Sequence, residues 1–299
     1  MTDTVAVLAL DAVDVRLARE WDCENLLLDD HAKLETYAHS LEFPRTMEVW
    51  PTVATGLAPD EHGVVGDANE WENPALRAAS KVTQYLPRGV RSTLGKPFQR
   101  AGEERSMAQT DASHVFEDGV VRYWPGITPA DHVREAWRLM ALASGGDITE
   151  ERLERELTGF AGEELGWLAV ASDWDVPIAG VHSHVVDIMG HTYAEREERY
   201  RETYEWIDEQ VGYLRERVDR LVVLSDHGMQ VGWLGDEEPG THSFEAFISA
   251  EDVDGPLPDS VYDVRGWLER QLDETVAADE RAASSDTPVQ HLKDLGYME

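Results

Sequence analysis

Three apolar runs along the chain are typical of buried β-strands, and an aspartate stands where each of them ends. The runs cover residues 4–12, 175–187 and 221–225, and the aspartates are Asp11, Asp187 and Asp226. Amphipathic segments of helical period separate the runs, so predicted strands and helices alternate. This alternation predicts an α/β fold with a mostly parallel sheet. Because ligands bind beyond the carboxyl ends of such strands, the three aspartates are expected to converge.

Several helices and one further strand are predicted between and after these runs. Residues 193–218 place large apolar side chains on one face and charges on the opposite face, which is typical of a surface helix. Residues 128–144 favour another helix, with Thr128 as its cap and Pro129 in its first position. The remaining predicted elements are a helix over 50–55 with Pro51 in its first turn, one or two helices within 148–172, a strand over 243–250 and a late helix over 261–273.

The domain organisation is predicted from composition along the chain. Residues 1–276 are expected to form one catalytic domain. Within it, residues 68–128 carry Gly, Pro and several Arg at irregular spacing, which indicates an irregular insertion or cap near a site. Residues 277–299 begin with the polar stretch AADERAASSDTP and are expected to form a linker and a C-terminal tail.

Acidic residues dominate the charge of this 299-residue chain, with 60 Asp and Glu against 26 Lys and Arg and a net charge of −34. The acids are spread along the chain, which predicts the acidic surface of a halophilic protein or, alternatively, a very soluble mesophilic one. Duplex nucleic acid is disfavoured as a partner, because its binding needs clustered Lys and Arg. A small phosphate ester is still allowed, since a bound metal ion can dominate the local charge.

Cysteine usage and hydropathy bear on the cellular location. Cys23 is the only cysteine, so an intrachain disulfide is excluded and a cysteine-based metal site is disfavoured. No apolar run has the length needed to span a bilayer, and the first residues lead into a strand with no signal peptide. We therefore expect a cytoplasmic protein without a membrane partner, and the sequence leaves the oligomeric state open.

Four further polar residues accompany the aspartates, namely Thr46, His191, His227 and His242. Asp and His are good ligands for zinc or manganese, and two such ions a few ångströms apart suit phosphoryl transfer. Each residue also has a structural interpretation, since Asp and Thr cap helices and a histidine in a glycine-rich loop can simply be exposed. A pattern that unites all of them would favour the ligand interpretation.

Five short motifs carry these residues in order across residues 7–242. The motifs are LALDA, RTMEVWPTVATGLAPDEHGV, DIMGH, SDHGM and GTH. With them, the chain resembles the alkaline phosphatase superfamily, and most of all its type I phosphodiesterase/nucleotide pyrophosphatase branch. The resemblance implies an alkaline phosphatase-like α/β fold, in which helices flank a mostly parallel central sheet on both faces.

The same resemblance implies two metal sites and a nucleophile. One ion would be held by Asp187, His191 and His242, and the other by Asp11, Thr46, Asp226 and His227. Thr46 would be the nucleophile, forming a phosphothreonine-like intermediate that water then hydrolyses. The implied cofactors are two divalent metal ions, usually zinc in this family, with manganese as the other option.

The implied activity is hydrolysis of diester or nucleotide pyrophosphate-type bonds in a small phosphate ester. Alternatives on the same site are a phosphomonoesterase, a phosphonate hydrolase or a phosphomutase. An alternative from another class is a non-catalytic relative that keeps its metal ions. A sulfatase is disfavoured, because family sulfatases usually convert a Cys or Ser at the position where Thr46 stands.

One position departs from the family pattern. Relatives carry an Asn shortly after the His-Gly pair, where it helps to hold a phosphoryl oxygen, and by spacing from the nucleophile that position is Asp67 here. A carboxylate would repel the oxygen, whereas Asn69 stands two residues on and could take the role. Asp67 and Asn69 are therefore the candidate substrate-binding residues. The remaining histidines near the motifs, His62, His182 and His184, are expected in structural roles rather than as ligands.

Overall fold

A six-stranded sheet lies at the centre of the computed structural model, which describes residues 4–65 and 108–273. Its strands are β1 (Val5–Leu10), β2 (Asp30–Lys33), β3 (Val120–Arg122), β4 (Ile178–Ser183), β5 (Arg220–Leu224) and β8 (Phe247–Glu251), and a separate pair comprises β6 (Gly228–Met229) and β7 (His242–Ser243). The order across the central sheet is β2-β8-β5-β1-β4-β3. Within this sheet, β8 pairs antiparallel with β5 and β2, and the remaining strand pairings are parallel. The predicted mostly parallel sheet is confirmed.

Nine α-helices occur within these two stretches of chain. They are α1 (Val15–Glu20), α2 (Glu24–Leu27), α3 (Thr46–Thr55), α4 (Pro59–His62), α5 (Asp131–Gly145), α6 (Glu150–Ala171), α7 (Val185–Tyr193), α8 (Glu197–Arg215) and α9 (Val264–Asp273). Helix α8 is the helix predicted over 193–218, and its apolar face is buried. None of the helices described combines the length and the apolar character needed to cross a membrane.

Strand β1 shows why the sheet is covered on both faces. Ala6, Leu8 and Leu10 contribute to one apolar core, together with α1 and α5 to α8. Val5 and Val7 contribute to the opposite core, together with α3 and α9. Successive strand residues point to opposite faces, so a continuous apolar run fits a strand that is buried on both sides. Each fully buried leucine side chain contributes about 1.5–3 kcal/mol to the free energy of folding.

The strand predicted over 175–187 is wrong in its second half. Strand β4 ends at Ser183 and α7 begins at Val185, so Asp187 lies in the first turn of a helix. Val185 and Val186 are nevertheless buried, at 3% and 0% exposure. A short apolar run looks the same in a buried helix as in a buried strand, which explains the error.

Two helix boundaries also differ from the prediction. Helix α5 begins at Asp131, because Thr128 Oγ1 accepts a hydrogen bond from Trp124 N at 3.0 Å and does not cap the helix. Helix α3 begins earlier than predicted, at Thr46, and Pro51 lies inside it. The earlier start places the Thr46 hydroxyl at a helix N-terminus.

Two edge strands of the sheet were not predicted. Strand β3 lies within the segment 68–128, predicted as an irregular insertion, of which the structure describes residues 108–128. Strand β2 forms the opposite edge beside β8. These strands have only 3 and 4 residues, and their side chains are mostly not buried, so they carry little periodic signal. The strand predicted over 243–250 is displaced to Phe247–Glu251.

Candidate metal centre

The first group of side chains gathers where β1, β5 and α3 meet. Asp11 directly follows β1, and Asp226 and His227 follow its parallel neighbour β5. Thr46 is the first residue of α3. The three ligand-type residues are fully buried, and Thr46 is 5% exposed. Asp11, Thr46, Asp226 and His227 together are named the buried half-site.

Short contacts connect the buried half-site. His227 Nε2 lies 3.1 Å from Asp11 Oδ1 and 3.3 Å from Asp226 Oδ2. Thr46 Oγ1 lies 3.3 Å from Asp11 Oδ1 and 3.4 Å from His227 Nε2. The ligand atoms of Asp11, Asp226 and His227 all lie within 4.8 Å of one another, a spacing that one metal ion could bridge.

The second group forms on α7 and β7. Asp187 and His191 are one helical turn apart on α7, which puts both side chains on one face. Asp187 Oδ1 lies 3.4 Å from His191 Nε2 and 3.3 Å from Nε2 of His242, which comes from β7. The side chains of His191 and His242 are 28% and 13% exposed. Asp187, His191 and His242 together are named the exposed half-site.

The two half-sites are direct neighbours. The rings of His227 and His242 stack with their centroids 3.8 Å apart and their planes inclined by 14°. The short β6–β7 pair produces this contact, because Met229 of β6 lies opposite His242 of β7. The structure thus brings together all seven residues that the resemblance implies as ligands.

The three histidines of the half-sites present the same ring nitrogen to the centre. In each ring Nδ1 lies within hydrogen-bond distance of a backbone carbonyl oxygen. The distances are 2.8 Å from His191 Nδ1 to Gly240 O, 2.8 Å from His242 Nδ1 to Pro44 O and 3.1 Å from His227 Nδ1 to Gly228 O. A carbonyl oxygen can only accept, so Nδ1 carries the proton. In the neutral ring, the Nε2 lone pair is then directed at the half-site, as a metal ligand requires.

Two buried carboxylate oxygens, Asp187 Oδ1 and Asp226 Oδ2, accept no hydrogen bond from the part of the chain that the structure describes. Imidazole nitrogens lie 3.3 to 3.4 Å from them, but not in line for hydrogen bonding. Burying an anion without such partners is costly, and a cation bound between these oxygen and nitrogen atoms would remove the cost. Carboxylate oxygen and imidazole nitrogen form the donor set of zinc and manganese sites, so the residues fit a divalent metal.

Comparison with known proteins identifies the family. The model of the type I phosphodiesterase / nucleotide pyrophosphatase family matches residues 25–232. The chain belongs to this family. The resemblance inferred from the five motifs is thereby confirmed. The family is metal-dependent, and this member carries groups of candidate ligands. No curated protein matches the chain.

Two solved structures resemble this phosphodiesterase family member distantly. One is the murine ectonucleotide pyrophosphatase / phosphodiesterase 5, with 16% identity and a TM-score of 0.39 over 76% of this chain and 57% of that chain. The other is the PH0037 protein from Pyrococcus horikoshii, with 10% identity and a TM-score of 0.45 over 95% of this chain and 100% of that chain. This chain therefore spans little more than half of the murine one, and neither likeness bears on function.

The span matched by the phosphodiesterase family model contains five of the seven candidate ligands. Asp11 lies before it and His242 lies after it. The fold supplies these two, because β1 delivers Asp11 beside β5 and the β6–β7 pair delivers His242 beside His227. The complete set is therefore assembled only by the tertiary structure.

The two carboxylates of the buried half-site differ in ionisation. Burial would raise the pKa of Asp11, but the charge of His184 and hydrogen bonds from His182 and His184 hold that pKa well below its usual value. Burial raises the pKa of Asp226 well above its usual value, and the neighbouring Asp11 carboxylate raises it further. The metal-free chain therefore favours one charge on this pair, and a bound divalent ion would allow both to ionise.

The exposed half-site has one carboxylate and two imidazoles. Burial would raise the pKa of Asp187, but the nearby charges of His191 and His184 hold it well below its usual value. Burial opposes a charge on His191, yet Asp187 raises the pKa of that ring above its usual value. Burial lowers the pKa of His242, and His227 lowers it further. At a pH below this raised pKa, a metal ion entering this half-site displaces a proton from His191.

His184, expected in a structural role, contacts the aspartates of both half-sites. Its Nδ1 lies 2.5 Å from Asp11 Oδ2, and its Nε2 lies 3.0 Å from Asp187 Oδ2. Burial opposes a charge on the ring, but the two carboxylates raise the pKa of His184 to about 10. Trp137 Nε1 also lies 2.8 Å from His184 Nε2 and could donate to a neutral ring. The indole N–H can only donate, so Nε2 accepts in this contact.

Two further histidines, His182 and His62, lie near the half-sites without belonging to them. His182 Nε2 lies 3.2 Å from Asp11 Oδ2, so this buried ring supports Asp11 from the outer side. His62 Nε2 lies 3.2 Å from Thr52 Oγ1, within the α3–α4 packing, which agrees with a structural role. Asp67 and Asn69 lie outside the described residues.

Proposed function

We propose that this protein is a metal-dependent hydrolase that cleaves phosphate diesters or nucleotide pyrophosphate-type bonds, with Thr46 as nucleophile and two divalent metal ions. The observation that supports the proposal most strongly is the position of Thr46 Oγ1. It lies 3.3 Å from Asp11 Oδ1 and 3.4 Å from His227 Nε2, and the same imidazole nitrogen lies 3.3 Å from Asp226 Oδ2. A hydroxyl in a cluster of metal-ligand atoms is suited to activation as a nucleophile.

The proposed ligands follow the two half-sites. Asp11, Asp226 and His227 would hold one ion together with the Thr46 oxygen, and the exposed half-site would hold the other. The bound ions would supply Lewis-acid stabilisation of the charge that develops on the phosphoryl oxygens. Zinc is the proposed metal, because the donor set combines imidazole nitrogen with carboxylate oxygen, and manganese is the alternative.

The chain's own residues would carry out the remaining steps. The first turn of α3 presents backbone amides at the positively polarised end of the helix, which favours a phosphate group at Thr46. The Thr46 hydroxyl would release its proton to solvent as its oxygen attacks phosphorus, while the leaving oxygen departs with its electron pair and takes up a proton. Water would then cleave the phosphothreonine ester, releasing the phosphate product and restoring the Thr46 hydroxyl. Solvent would reach the reacting group past His191, the most exposed of the candidate ligands.

Substitution of Thr46 tests the proposed nucleophile. We expect Thr46→Ala to lower the turnover of bis-p-nitrophenyl phosphate more than about 1000-fold, because the substitution removes the attacking oxygen. Thr46→Ser should retain part of the activity. Thr55→Ala is the matched control: Thr55 is buried in the same helix, but its hydroxyl donates to Pro51 O at 2.7 Å, away from the centre. Unchanged turnover in Thr46→Ala would remove Thr46 as nucleophile.

A substrate panel on the same zinc- or manganese-loaded sample tests the reaction class. We expect faster turnover of bis-p-nitrophenyl phosphate than of p-nitrophenyl phosphate. Faster monoester turnover would overturn the diester preference and favour the phosphomonoesterase alternative. Two bound ions without turnover of any phosphate or phosphonate ester would favour a non-catalytic relative.

We also propose that the protein works in a salt-rich cytoplasm. The supporting observation is the net charge of −34, whose self-repulsion opposes a compact chain and is screened by salt. The melting temperature should therefore rise as potassium chloride is increased from low to molar concentration. A melting temperature independent of salt would contradict this proposal.

A further inference from the structure

One short segment of chain, residues 227–243, contributes to both half-sites and is named the ligand hairpin. It begins with His227 of the buried half-site, contains the β6–β7 pair and delivers His242 of the exposed half-site. Its loop also supplies Gly240 O, which lies 2.8 Å from His191 Nδ1. All three imidazoles of the half-sites therefore depend on where this hairpin lies.

The ligand hairpin is too small to fix its own position. Strands β6 and β7 have two residues each and form a pair separate from the central sheet. A two-stranded hairpin on its own is at best marginally stable in water. Burial of Met229 and a hydrogen bond from Gly232 N to Ala194 O at 2.8 Å supply part of the restraint. The remaining polar contacts come from the segment that follows β1.

Arg16, in the first turn of α1, contacts the ligand hairpin with its guanidinium group. Nε and Nη2 lie 3.1 and 2.8 Å from the two carboxylate oxygens of Asp14, the residue that caps α1. Nη1 and Nη2 lie 3.4 and 3.3 Å from the carboxylate oxygens of Asp236, in the loop of the hairpin. Nη2 also lies 3.4 Å from Met229 O of β6. One cation thus joins the start of α1 to a strand and to the loop of the hairpin.

Asp14 extends this contact to the second strand. Its side chain is fully buried, and Ser243 Oγ of β7 donates to Asp14 Oδ2 at 3.3 Å. A Cβ on Gly228 of β6 would lie 2.6 Å from the same oxygen, so the backbone of β6 passes close to the carboxylate. Burial raises the pKa of Asp14 above its usual value, and the hydrogen bonds from Arg16 oppose that rise. Both hairpin residues are direct chain neighbours of a candidate ligand.

The loop of the hairpin is closed by the same carboxylate that Arg16 contacts. Asp236 Oδ2 accepts a hydrogen bond from Val231 N at 2.9 Å. A guanidinium keeps its charge in proteins and presents its donors in a fixed planar arrangement. The contacts of Arg16 with the hairpin therefore do not depend on the protonation of any candidate ligand.

Binding of a substrate phosphate is the competing interpretation for this arginine, since guanidinium groups often bind phosphate. Each of the three guanidinium nitrogens already lies within hydrogen-bond distance of an oxygen of Asp14 or Asp236. A phosphate group would have to displace these carboxylates from the cation. The contacts favour a residue that acts through the hairpin rather than on substrate.

We propose that Arg16 is a positioning residue, which holds the ligand hairpin against the start of α1 through Asp14 and Asp236 and thereby sets the positions of the imidazoles in both half-sites. The inference rests on the proposed function in one respect, namely that the half-sites bind metal ions. It does not depend on the nucleophile or the substrate.

Three substitutions vary the contact between Arg16 and the hairpin. Arg16→Ala removes the cation and all its contacts. Arg16→Lys keeps the charge but not the planar fork, so it should restore only part of the wild-type behaviour. Asp236→Ala releases the loop and leaves the buried pair of Asp14 and Arg16 intact, which keeps the test valid if Arg16→Ala does not fold.

Arg215→Ala is the matched control. Arg215 also bridges two carboxylates, those of Asp29 and Glu251, and its side chain is 26% exposed against 34% for Arg16. Glu251 lies opposite Leu221, near the start of β5, whereas the buried half-site follows the end of that strand. The control therefore removes a similar ion-pair network at the other end of the sheet.

Hydrogen exchange of metal-free, full-length protein, followed by mass spectrometry, measures the hold on the hairpin. We expect the backbone amides of residues 228–243 to exchange about tenfold faster in Arg16→Ala than in wild type, since charge-assisted hydrogen bonds that oppose local opening are lost. Asp236→Ala should show a smaller rise in the same segment, and Arg215→Ala none. Wild-type exchange of this segment in Arg16→Ala would overturn the inference.

Zinc affinity, measured by calorimetry with a competing chelator, tests the effect on the half-sites. Affinities are assigned in backgrounds that retain one half-site, His191→Ala for the buried half-site and Asp226→Asn for the exposed half-site. We expect Arg16→Ala to weaken binding about 10–100-fold in both backgrounds, as loss of support for metal ligands typically does, and Arg215→Ala to leave it unchanged. Equal losses in the two variants would show a general loss of stability and overturn the inference.

Kinetics of the zinc-loaded protein with bis-p-nitrophenyl phosphate separate positioning from substrate binding. A positioning role predicts a lower kcat with little change in KM for Arg16→Ala, and partial rescue by Arg16→Lys. A raised KM together with wild-type zinc affinity would assign Arg16 to substrate binding and overturn the inference.

The outcome for wild-type protein separates this inference from the proposed function. Two bound ions without hydrolysis of any ester would remove the proposed function and leave the role of Arg16 intact. Hydrolysis and two ions, with wild-type exchange and zinc affinity in every Arg16 variant, would remove the role of Arg16 alone. Wild-type protein that binds no metal ion would overturn both.

Discussion

The two half-sites use similar residues but are built differently. The buried half-site is formed by residues that follow parallel strands, and its ligand-type side chains are inaccessible to solvent. The exposed half-site is formed by one turn of α7 and the short strand β7, and His191 is 28% exposed. The buried half-site is held by paired strands of the sheet, whereas the exposed half-site borders solvent. The buried half-site is therefore suited to the nucleophile proposed above, and the exposed half-site to the entry of the proposed substrate and of water.

The two half-sites also differ in charge, and the buried half-site is the more acidic of the two. The buried half-site has two carboxylates and one imidazole, and the raised pKa of Asp226 shows that burial does not tolerate both charges in the metal-free chain. The exposed half-site has one carboxylate and two imidazoles, and its carboxylate is ionised. A divalent cation thus compensates more negative charge at the buried half-site. We therefore predict that the ion proposed for the buried half-site binds more tightly and exchanges more slowly.

Among the changes that distinguish the two half-sites, Asp11→Asn is expected to have the largest effect on activity. Asp11 contacts Thr46, His227, His182 and His184, so the amide would disturb the nucleophile and its metal together. Turnover should fall by at least about 100-fold, and the metal content should fall from two ions per chain to one. Plasma mass spectrometry and the diester assay on one sample provide the measurement. An Asp11→Asn variant with two ions and full turnover would contradict the importance of the buried half-site.

Chelator treatment compares the rates at which the two ions leave. We expect two phases of zinc release, the fast one from the exposed half-site, because solvent reaches His191 and does not reach the buried ligands. The His191→Ala variant should lose the fast phase and keep the slow one. A zinc-binding dye in stopped-flow measurements follows both phases. Disappearance of the slow phase instead would reverse the assignment.

The pH dependence of zinc affinity should reveal the proton on His191. A protonated imidazole cannot coordinate, and Asp187 raises the pKa of His191 above the ordinary value of 6.5. Affinity at the exposed half-site should therefore decrease as the pH falls through this raised pKa, approaching about tenfold per pH unit below it. Calorimetry on the Asp226→Asn background isolates this half-site. Affinity that is flat between pH 8 and 5 would refute the displacement of a proton.

Gly190→Ala is expected to have the smallest effect of these changes. It acts on α7, the helix that carries two residues of the exposed half-site. Gly190 lies between Asp187 and His191, and an added Cβ would lie 2.7 Å from Tyr200 Oη and 2.8 Å from Met229 Cε. This overpacking should lower the free energy of unfolding by about 1–3 kcal/mol, measured by urea denaturation. Gly159→Ala in α6 is the control, since its Cβ would meet nothing within 4 Å. Equal stability of both variants would show that α7 has room to move.

Much of the fold could be predicted from the sequence, because its strongest signals are periodic. The continuous apolar runs of β1 and β5 and the amphipathic face of α8 are imposed by burial, and each is found in the structure. The short edge strands β2 and β3 carry no such signal, since they are partly open to solvent. The helical position of Asp187 was missed because the first turn of α7 is as apolar as the strand before it.

The candidate ligands could be named from motifs, but their arrangement could not. Each motif specifies side chains at a local spacing, whereas Asp11 and His242 approach the others only through strand pairing. The link between the half-sites was also missed, although its signal is present in the chain. His184 stands three residues before Asp187, and a helix starting at Val185 places its ring toward that carboxylate. The spacing is informative only when the helix boundary is known.

The most direct test of the two-metal centre is an anomalous difference map from crystals of the zinc-loaded protein. We predict two peaks roughly 3.5–4 Å apart. One should lie about 2.0–2.2 Å from ligand atoms of Asp11, Asp226 and His227, and the other at that distance from Asp187, His191 and His242. Thr46 Oγ1 should border the first peak. A single peak, or a peak coordinated by His182 and His184, would contradict the account.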